Sequence, residues 1–282
     1  MGFPFSNGVA VITGAGKGIG AALAHGLAAR HCHLALIDSD AEALARIVAS
    51  TRQTGVTVSS HQLDIANAEA VGLLPQEVLA HHRRVNILIN NAGVALMGSF
   101  AELRLEDMEW LLAVNFWGTV RMCHAFLGAL RCESVAQIVN LSSVFGIIAP
   151  AGQTAYAASK FAVRGFSDAL RAELRQSGIG VSVVHPGGIK TTIAASARVA
   201  SSIAPEDRAE RVAAFDRFAR TTAMQAAACI IEGIDRRKAR ILIGSDARQF
   251  DWLQRLFPGS CGTILRWRVA RRRAAAATGV RS

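Results

Sequence analysis

Residues 135–164 read VAQIVNLSSVFGIIAPAGQTAYAASKFAVR. The apolar, β-branched run Val135–Leu141 predicts a buried strand. It breaks at Ser142-Ser143, passes through a Gly/Pro loop and enters a helical pattern near Thr154. In that helix Tyr156 and Lys160 stand one turn apart and share a face. Ser143 closes the strand thirteen residues before the tyrosine. A strand end and the helix after it can bring three such polar groups into one small volume. A free phenol is a poor acid–base group at pH 7, with a pKa of ~10. An ammonium nearby favours the phenolate, and a serine hydroxyl can hold a substrate oxygen. Tyr156 is the only tyrosine in the chain. The plain alternative is a helix whose Tyr and Lys merely face solvent.

The same strand–helix alternation extends in both directions. Upstream, strand-like Val9–Thr13, Leu34–Ile37, Val56–Gln62 and Val85–Ile89 alternate with helical Ala21–Ala29, Ala41–Arg52 and Ala68–Arg83, in which Pro75 marks a candidate break. A long helical pattern covers Leu105–Leu130. Downstream come a helix over Thr154–Gln176, a strand over Gly180–Val184 ending at Pro186-Gly187, and strand-like Arg240–Ile243. Continuous β-branched runs separated by helix-length segments predict a parallel sheet covered on both faces. No linker is rich enough to split the chain, so one α/β domain is expected over residues 1–250. A basic extension, 251–282, follows it.

The first turn, Thr13-Gly14-Ala15-Gly16-Lys17-Gly18-Ile19-Gly20, follows a strand and opens a helix. Glycines let such a turn approach a pyrophosphate, which the helix N-terminus stabilises. The strict G-x-G-x-x-G spacing fails, because Ile19 takes the third glycine's place. An acid at the end of the next strand strengthens the assignment: Asp38 lies eighteen residues past Gly20. A carboxylate there accepts from ribose hydroxyls and repels a 2′-phosphate, which selects NAD over NADP. Lys17 pulls the other way, since it could pair with a 2′-phosphate, and Asp40 could share the acidic role. Together these features predict a doubly wound, Rossmann-type fold with a mostly seven-stranded parallel sheet.

Across roughly residues 8–192 the motifs resemble the classical short-chain dehydrogenases/reductases. The TGxxxGxG turn stands as Thr13-Gly14, Gly18 and Gly20, and the family's NNAG as Asn90-Asn91-Ala92-Gly93. Asn115, in VNFWG, takes the place of the tetrad asparagine, and Ser143, Tyr156 and Lys160 reproduce the S…YxxxK set. Pro186-Gly187 with Thr191 resembles the PG motif and its carboxamide contact, for which Thr192 competes. Asp64 sits where the family places an adenine contact. The resemblance implies reversible hydride transfer between a secondary alcohol and a nicotinamide cofactor. Asn115, Ser143, Tyr156 and Lys160 would be catalytic. Lys160 would lower the Tyr156 pKa and bind the nicotinamide ribose, and Asn115 would hold a water linking Lys160 to solvent. Gly14, Lys17, Gly18, Ile19, Gly20, Asp38, Asp64, Ile65, Asn91, Ala92, Gly93, Tyr156, Lys160, Pro186, Gly187, Ile189 and Thr191 would line the cofactor. It further implies a homodimer or homotetramer paired through helices 105–130 and 154–176, with Trp110, Trp117, Phe126, Phe161 and Phe166 as apolar surface.

For the substrate there is only composition. Residues 188–220 are expected to form a mobile flap, and Phe215 and Phe218 with Val144, Phe145, Ile147 and Ile148 predict an apolar pocket. That pocket suits a lipid-, terpenoid- or steroid-like alcohol or ketone, with Lys190 and Arg198 as the cations that could reach an acid. Two alternatives stay open: an NADP-linked carbonyl or 3-oxoacyl reductase, and a non-catalytic nicotinamide-binding regulatory protein.

The net charge of +10 is unevenly placed. Residues 1–189 carry 13 basic and 13 acidic side chains, and 190–282 carry 18 and 8. RRKAR (236–240) and RWRVARRR (266–273) form the excess. Such a patch attracts anionic lipid or nucleic acid, or is simply a solvated tail. We expect no nucleic-acid partner. Trp252, Leu253, Leu256, Phe257, Ile264, Leu265, Trp267 and Val269 stand among Arg255, Arg266, Arg268 and Arg271–Arg273, the composition of a peripheral membrane helix. In the preferred version Trp252, Leu256 and Phe257 fold back over the substrate pocket. No secretory signal is visible, and five cysteines without metal-like spacing suit a reducing cytoplasm. No metal site is expected.

Overall fold

The structure, a computed structural model, describes residues 2–264. Seven parallel strands form one sheet: β1 (Val9–Thr13), β2 (His33–Asp38), β3 (Val58–Gln62), β4 (Ile87–Asn90), β5 (Ala136–Leu141), β6 (Ile179–Pro186) and β7 (Arg240–Ile243). Their order across the sheet is β7-β6-β5-β4-β1-β2-β3. Because strand side chains alternate faces, each strand feeds two cores. Ile12, Leu34, Leu36, Ile87 and Ile89 pack on one side with α1 (Gly18–Ala28), α2 (Ala41–Arg52) and α8 (Ala223–Asp235). Val11, Ile37, Leu88 and Ile138 pack on the other with α3 (Ala68–His82), α5 (Thr119–Arg131) and α6 (Thr154–Glu173). This is the doubly wound arrangement expected from the β-branched runs.

Local departures have identifiable causes. Pro75 lies inside α3 and does not end it. Its ring forfeits one helical hydrogen bond, while Leu74 and Val78, fully buried on either side of it, hold the helix to the sheet. The helix expected over 105–130 is divided. α4 (Leu105–Leu112) passes into a π turn over Ala113–Gly118 before α5 begins. Widened turns of this kind commonly mark functional positions, and Asn115 sits within this one.

Residues 188–220 are built as two-residue strands, Ile189–Lys190 and Arg198–Val199, followed by α7 (Pro205–Phe218). Arg198–Val199 pairs with Leu96–Met97, and Ile189–Lys190 with Thr221–Thr222, which ties the segment to the sheet's C-terminal edge. Helix α9 (Ser245–Leu256) runs across residue 250, so the boundary expected at 250/251 falls inside an element. Asp251 binds back to Arg240 on β7 at 2.7 Å. The fold-back of Trp252, Leu256 and Phe257 is not found. All three are exposed, and none lines the cavity described below. Leu265, Arg266, Trp267, Arg268, Val269 and Arg271–Arg273 lie outside the described residues.

Candidate active site

The strand order reverses at β1 and β4. Chain segments leave their C-terminal ends in opposite directions and open a crevice, the usual ligand position in such sheets. Asn91 ties the crevice together. Its side-chain amide donates to the carbonyls of Thr13 and Gly14, both at 2.9 Å. Thr13 Oγ1 accepts in return from the Asn91 and Ala92 amides at 3.1 and 3.0 Å. Thr13 thus has a structural part that no spacing in the sequence revealed.

A cavity of about 760 Å³ occupies the crevice. Gly14, Lys17, Gly18, Ile19, Asp38, Asp64, Ile65, Asn91, Ala92, Gly93, Ser143, Tyr156, Lys160, Pro186, Gly187, Ile189 and Thr191 line it, and so does Thr192. Gly20 does not line it. Gly20 lies beneath the turn, where a Cβ would strike the Gly14 carbonyl. Asn115 does not line it either. Its Oδ1 accepts from Val94 N at 2.8 Å, and its Nδ2 donates to Val94 O at 3.0 Å and Ser159 Oγ at 3.2 Å. The Asn115 carboxamide is therefore engaged with protein groups and braces the wall beside Gly93.

At the adenosine end, Asp38 Oδ2 accepts from Gly16 N at 2.8 Å and Oδ1 from Asp40 N at 2.9 Å. Each oxygen retains a lone pair beyond these bonds, and Asp38 lines the cavity. Lys17 pairs with Asp40 at 2.6 Å, so the cation that could oppose Asp38 is already matched. Asp40 also caps α2 through Ala43 N.

At the other end, Lys160 is buried and donates from Nζ to Leu141 O at 3.0 Å. The same Nζ stands 5.6 Å from the Tyr156 ring centroid. Burial brings the Lys160 ammonium down to about 8. Tyr156 stands in the cavity wall with Phe145 edge-on at 6.2 Å. Lost solvation pushes its phenol up to about 12, against the pull of the Ser143 hydroxyl beside it. The expected lowering by Lys160 is overridden here, because desolvation acts on the phenol directly while the ammonium is aimed at Leu141 O. Ser142 Oγ, assigned no role by spacing, donates to Lys160 O at 2.8 Å. Behind Ser143 lies His185, fully buried, with Nδ1 3.0 Å from the Ser143 carbonyl. Burial lowers its pKa to about 4, so it is neutral and Nδ1–H donates. Asp246, on α9, accepts from Gly188 N at 2.7 Å and anchors the turn after Pro186-Gly187.

Of the two cations expected near the substrate, neither serves the cavity. The Arg198 guanidinium lies 3.5 Å from the Trp110 ring centroid and 3.5 Å from Asp107. Lys190 borders an adjoining pocket that shares Gly18, Thr191 and Thr192 with the main cavity, and does not line the cavity itself. Arg211, which no motif marked, lines the main cavity instead.

The cavity fits a dinucleotide. Gly18 holds φ +54, a left-handed conformation favouring glycine, where α1 begins. The N-cap residue Lys17 supplies no capping side chain and the first turn has no acid, which leaves that helix end for an anion. A Cβ on Gly93 would come within 3.1 Å of Asn115 Oδ1 and 3.3 Å of Lys160 Nζ, so glycine lets this wall sit close against both side chains.

A crevice of this shape, at the switch point of a doubly wound parallel sheet, defines a Rossmann-type dinucleotide-binding protein. Residues 8–201 match the short chain dehydrogenase family. The Mycobacterium tuberculosis protein SadH is 41% identical over 270 residues, 95% of this chain and 97% of its own. A short chain dehydrogenase/reductase from Burkholderia phymatum, solved with NAD, superposes with a TM-score of 0.84 at 30% identity, covering 90% of this chain and 94% of its own. An alcohol dehydrogenase from Thermococcus sibiricus, solved with 5-hydroxy-NADP, gives 0.71 at 25% identity, covering 84% and 94%. The chain belongs to the short-chain dehydrogenase/reductase family and is an oxidoreductase.

Proposed function

We propose that the chain is an NAD-preferring dehydrogenase/reductase that interconverts an apolar secondary alcohol and its ketone. The observation that carries the proposal is the placement of Ser143, Tyr156 and Lys160 on one cavity wall, with Asp38 at its far end. A nicotinamide dinucleotide bound there supplies the hydride donor or acceptor. Asp38, Asp64 and the Gly14–Gly18 turn would hold its adenosine and pyrophosphate. Lys160, Gly93, Pro186, Gly187, Ile189 and Thr191 would hold its nicotinamide end. Ser143 orients the substrate oxygen, and His185 holds the Ser143 backbone from behind. At neutral pH Tyr156 is the protonated phenol, the form that gives a proton to a carbonyl oxygen. In the reverse direction it must be ionised, which the Lys160 cation assists below about pH 8. Asn115 holds Val94 and Ser159 in place beside Gly93 and Lys160. A panel of apolar secondary alcohols and ketones, followed by the absorbance of reduced nicotinamide, tests the reading; no turnover with either cofactor would falsify it.

The Lys17–Asp40 pair supports the NAD preference. With Lys17 matched, the Asp38 charge stands uncompensated where a 2′-phosphate would lie. Asp38→Ala is expected to improve the kcat/KM for NADP relative to NAD by about tenfold, the removal of one like-charge contact. A wild type that already prefers NADP would overturn the assignment.

Assembly and location extend the same proposal. Trp117 and Phe161 are exposed on the α5–α6 side, whereas Phe126 is fully buried, so a homodimer or homotetramer would use the former. Light scattering at micromolar concentration that gives a monomer excludes this. All five cysteines are free thiols, in keeping with a cytoplasmic protein, and no helix among the described residues is long and apolar enough to cross a membrane. Exposed Trp252, Leu256 and Phe257, followed in sequence by the arginines of 266–273, support peripheral contact with anionic lipid. Failure to sediment with anionic vesicles at low salt removes that contact.

A further inference from the structure

Helix α7 bears no buried residue, yet one stripe of it faces the cavity. Arg211, Phe215 and Phe218, at positions i, i+4 and i+7, line the wall, the spacing of one helical face. The helix's other charged residues, Glu206, Asp207, Arg208, Glu210, Asp216 and Arg217, do not. Leu96, Met97, Trp110, Val144 and Phe145 give the cavity apolar lining, and Gln153, Thr192 and Ser196 add neutral polar groups. The cavity's carboxylates, Asp38, Asp40 and Asp64, follow β2 and β3, across the switch point from the strand end that carries Ser143. Arg211 forms none of the salt bridges among the described residues. Glu102 feels its charge, but that carboxylate is held by Ser99 N at 2.6 Å.

A leucine would complete the apolar wall, whereas Arg211 keeps its guanidinium exposed at the rim of the cavity. Arginine instead offers a planar fork matched to a carboxylate, with a stem that lies along apolar surface. We propose that Arg211 is the subsite for the anionic end of the substrate, a carboxylate carried on an apolar body. This rests on the oxidoreductase reading of the same cavity and specifies its substrate as an apolar oxo or hydroxy acid.

The test uses the full-length protein, NADH and a series of oxodecanoates with the ketone at successive positions, each beside its methyl ester. For the best position the acid is expected to exceed its ester about tenfold in kcat/KM. Arg211→Met should abolish that preference by lowering the acid's value and sparing the ester's, and Arg211→Lys should restore part of it. Separately, decanoate, which cannot react, should bind about tenfold more weakly to Arg211→Met by calorimetry. Equal use of acid and ester by the wild type, or equal losses for both in Arg211→Met, overturns the subsite. Arg211-dependent decanoate binding without turnover of any alcohol or ketone would uphold the subsite and remove the proposed alcohol–ketone activity.

Discussion

Tyr156→Phe is expected to lose turnover by about 10²–10⁴-fold, the usual contribution of a positioned acid–base group. The substitution keeps the ring, its edge-on contact with Phe145 and its place in the wall, and it removes only the hydroxyl. Folding and dinucleotide affinity should therefore survive. The measurement is ketone reduction under conditions where the chemical step limits the rate, alongside a fluorescence titration with the reduced cofactor. Intact binding with turnover lost assigns the proton to Tyr156. Wild-type turnover in the variant would place the proton donor elsewhere.

Lys160→Met comes next in expected effect, and it separates binding from proton transfer. The methionine fills much of the buried stem but offers no charge and no donor to Leu141 O. Removing a charge-assisted hydrogen bond from the nicotinamide end should weaken the cofactor about ten- to a hundredfold. The pH profile carries the sharper sign. Burial has raised the Tyr156 phenol to about 12, so alcohol oxidation, which needs the phenolate, gains rate as pH rises. Below about pH 8 the Lys160 cation favours the phenolate and lifts the oxidation rate there, an aid that fades as the lysine loses its proton. Without it the rising limb should move toward higher pH, while ketone reduction, which uses the neutral phenol, keeps its profile. An oxidation limb that stays in place would remove Lys160 from proton transfer and leave it a binding role alone.

Backbone architecture was legible because its signals are local. A β-branched run reads as a buried strand, and a glycine turn between strand and helix reads as a phosphate loop. Tyr156 and Lys160 share a helix face at any spacing of four. These periodicities span only a few residues and mark the strands, the glycine turn and the shared face of Tyr156 and Lys160, while the joint role of Ser143, Tyr156 and Lys160 came from the resemblance to the short-chain dehydrogenases/reductases.

Partner choice was not local. Lys17 and Asp40 are separated by β2 in the chain, and only the packing of the first turn against α2 brings them together. The Asn115 carboxamide turns to Val94 across a π turn that no propensity marks, so its side chain braces the wall instead of lining it. Arg198 and Lys190 were the visible cations near the flap, yet stacking on Trp110 occupies one and the other borders only the adjoining pocket. Arg211 reaches the cavity because α7 presents that stripe inward. Trp252, Leu256 and Phe257 have the composition of a buried cover and lie exposed on α9. Residue types and short periodicities determined which elements form and which chemistry they can carry. Which charge meets which was decided by tertiary placement, because a hydrogen bond needs its heavy atoms within about 3 Å and well aligned, and the partners lie far apart in the chain.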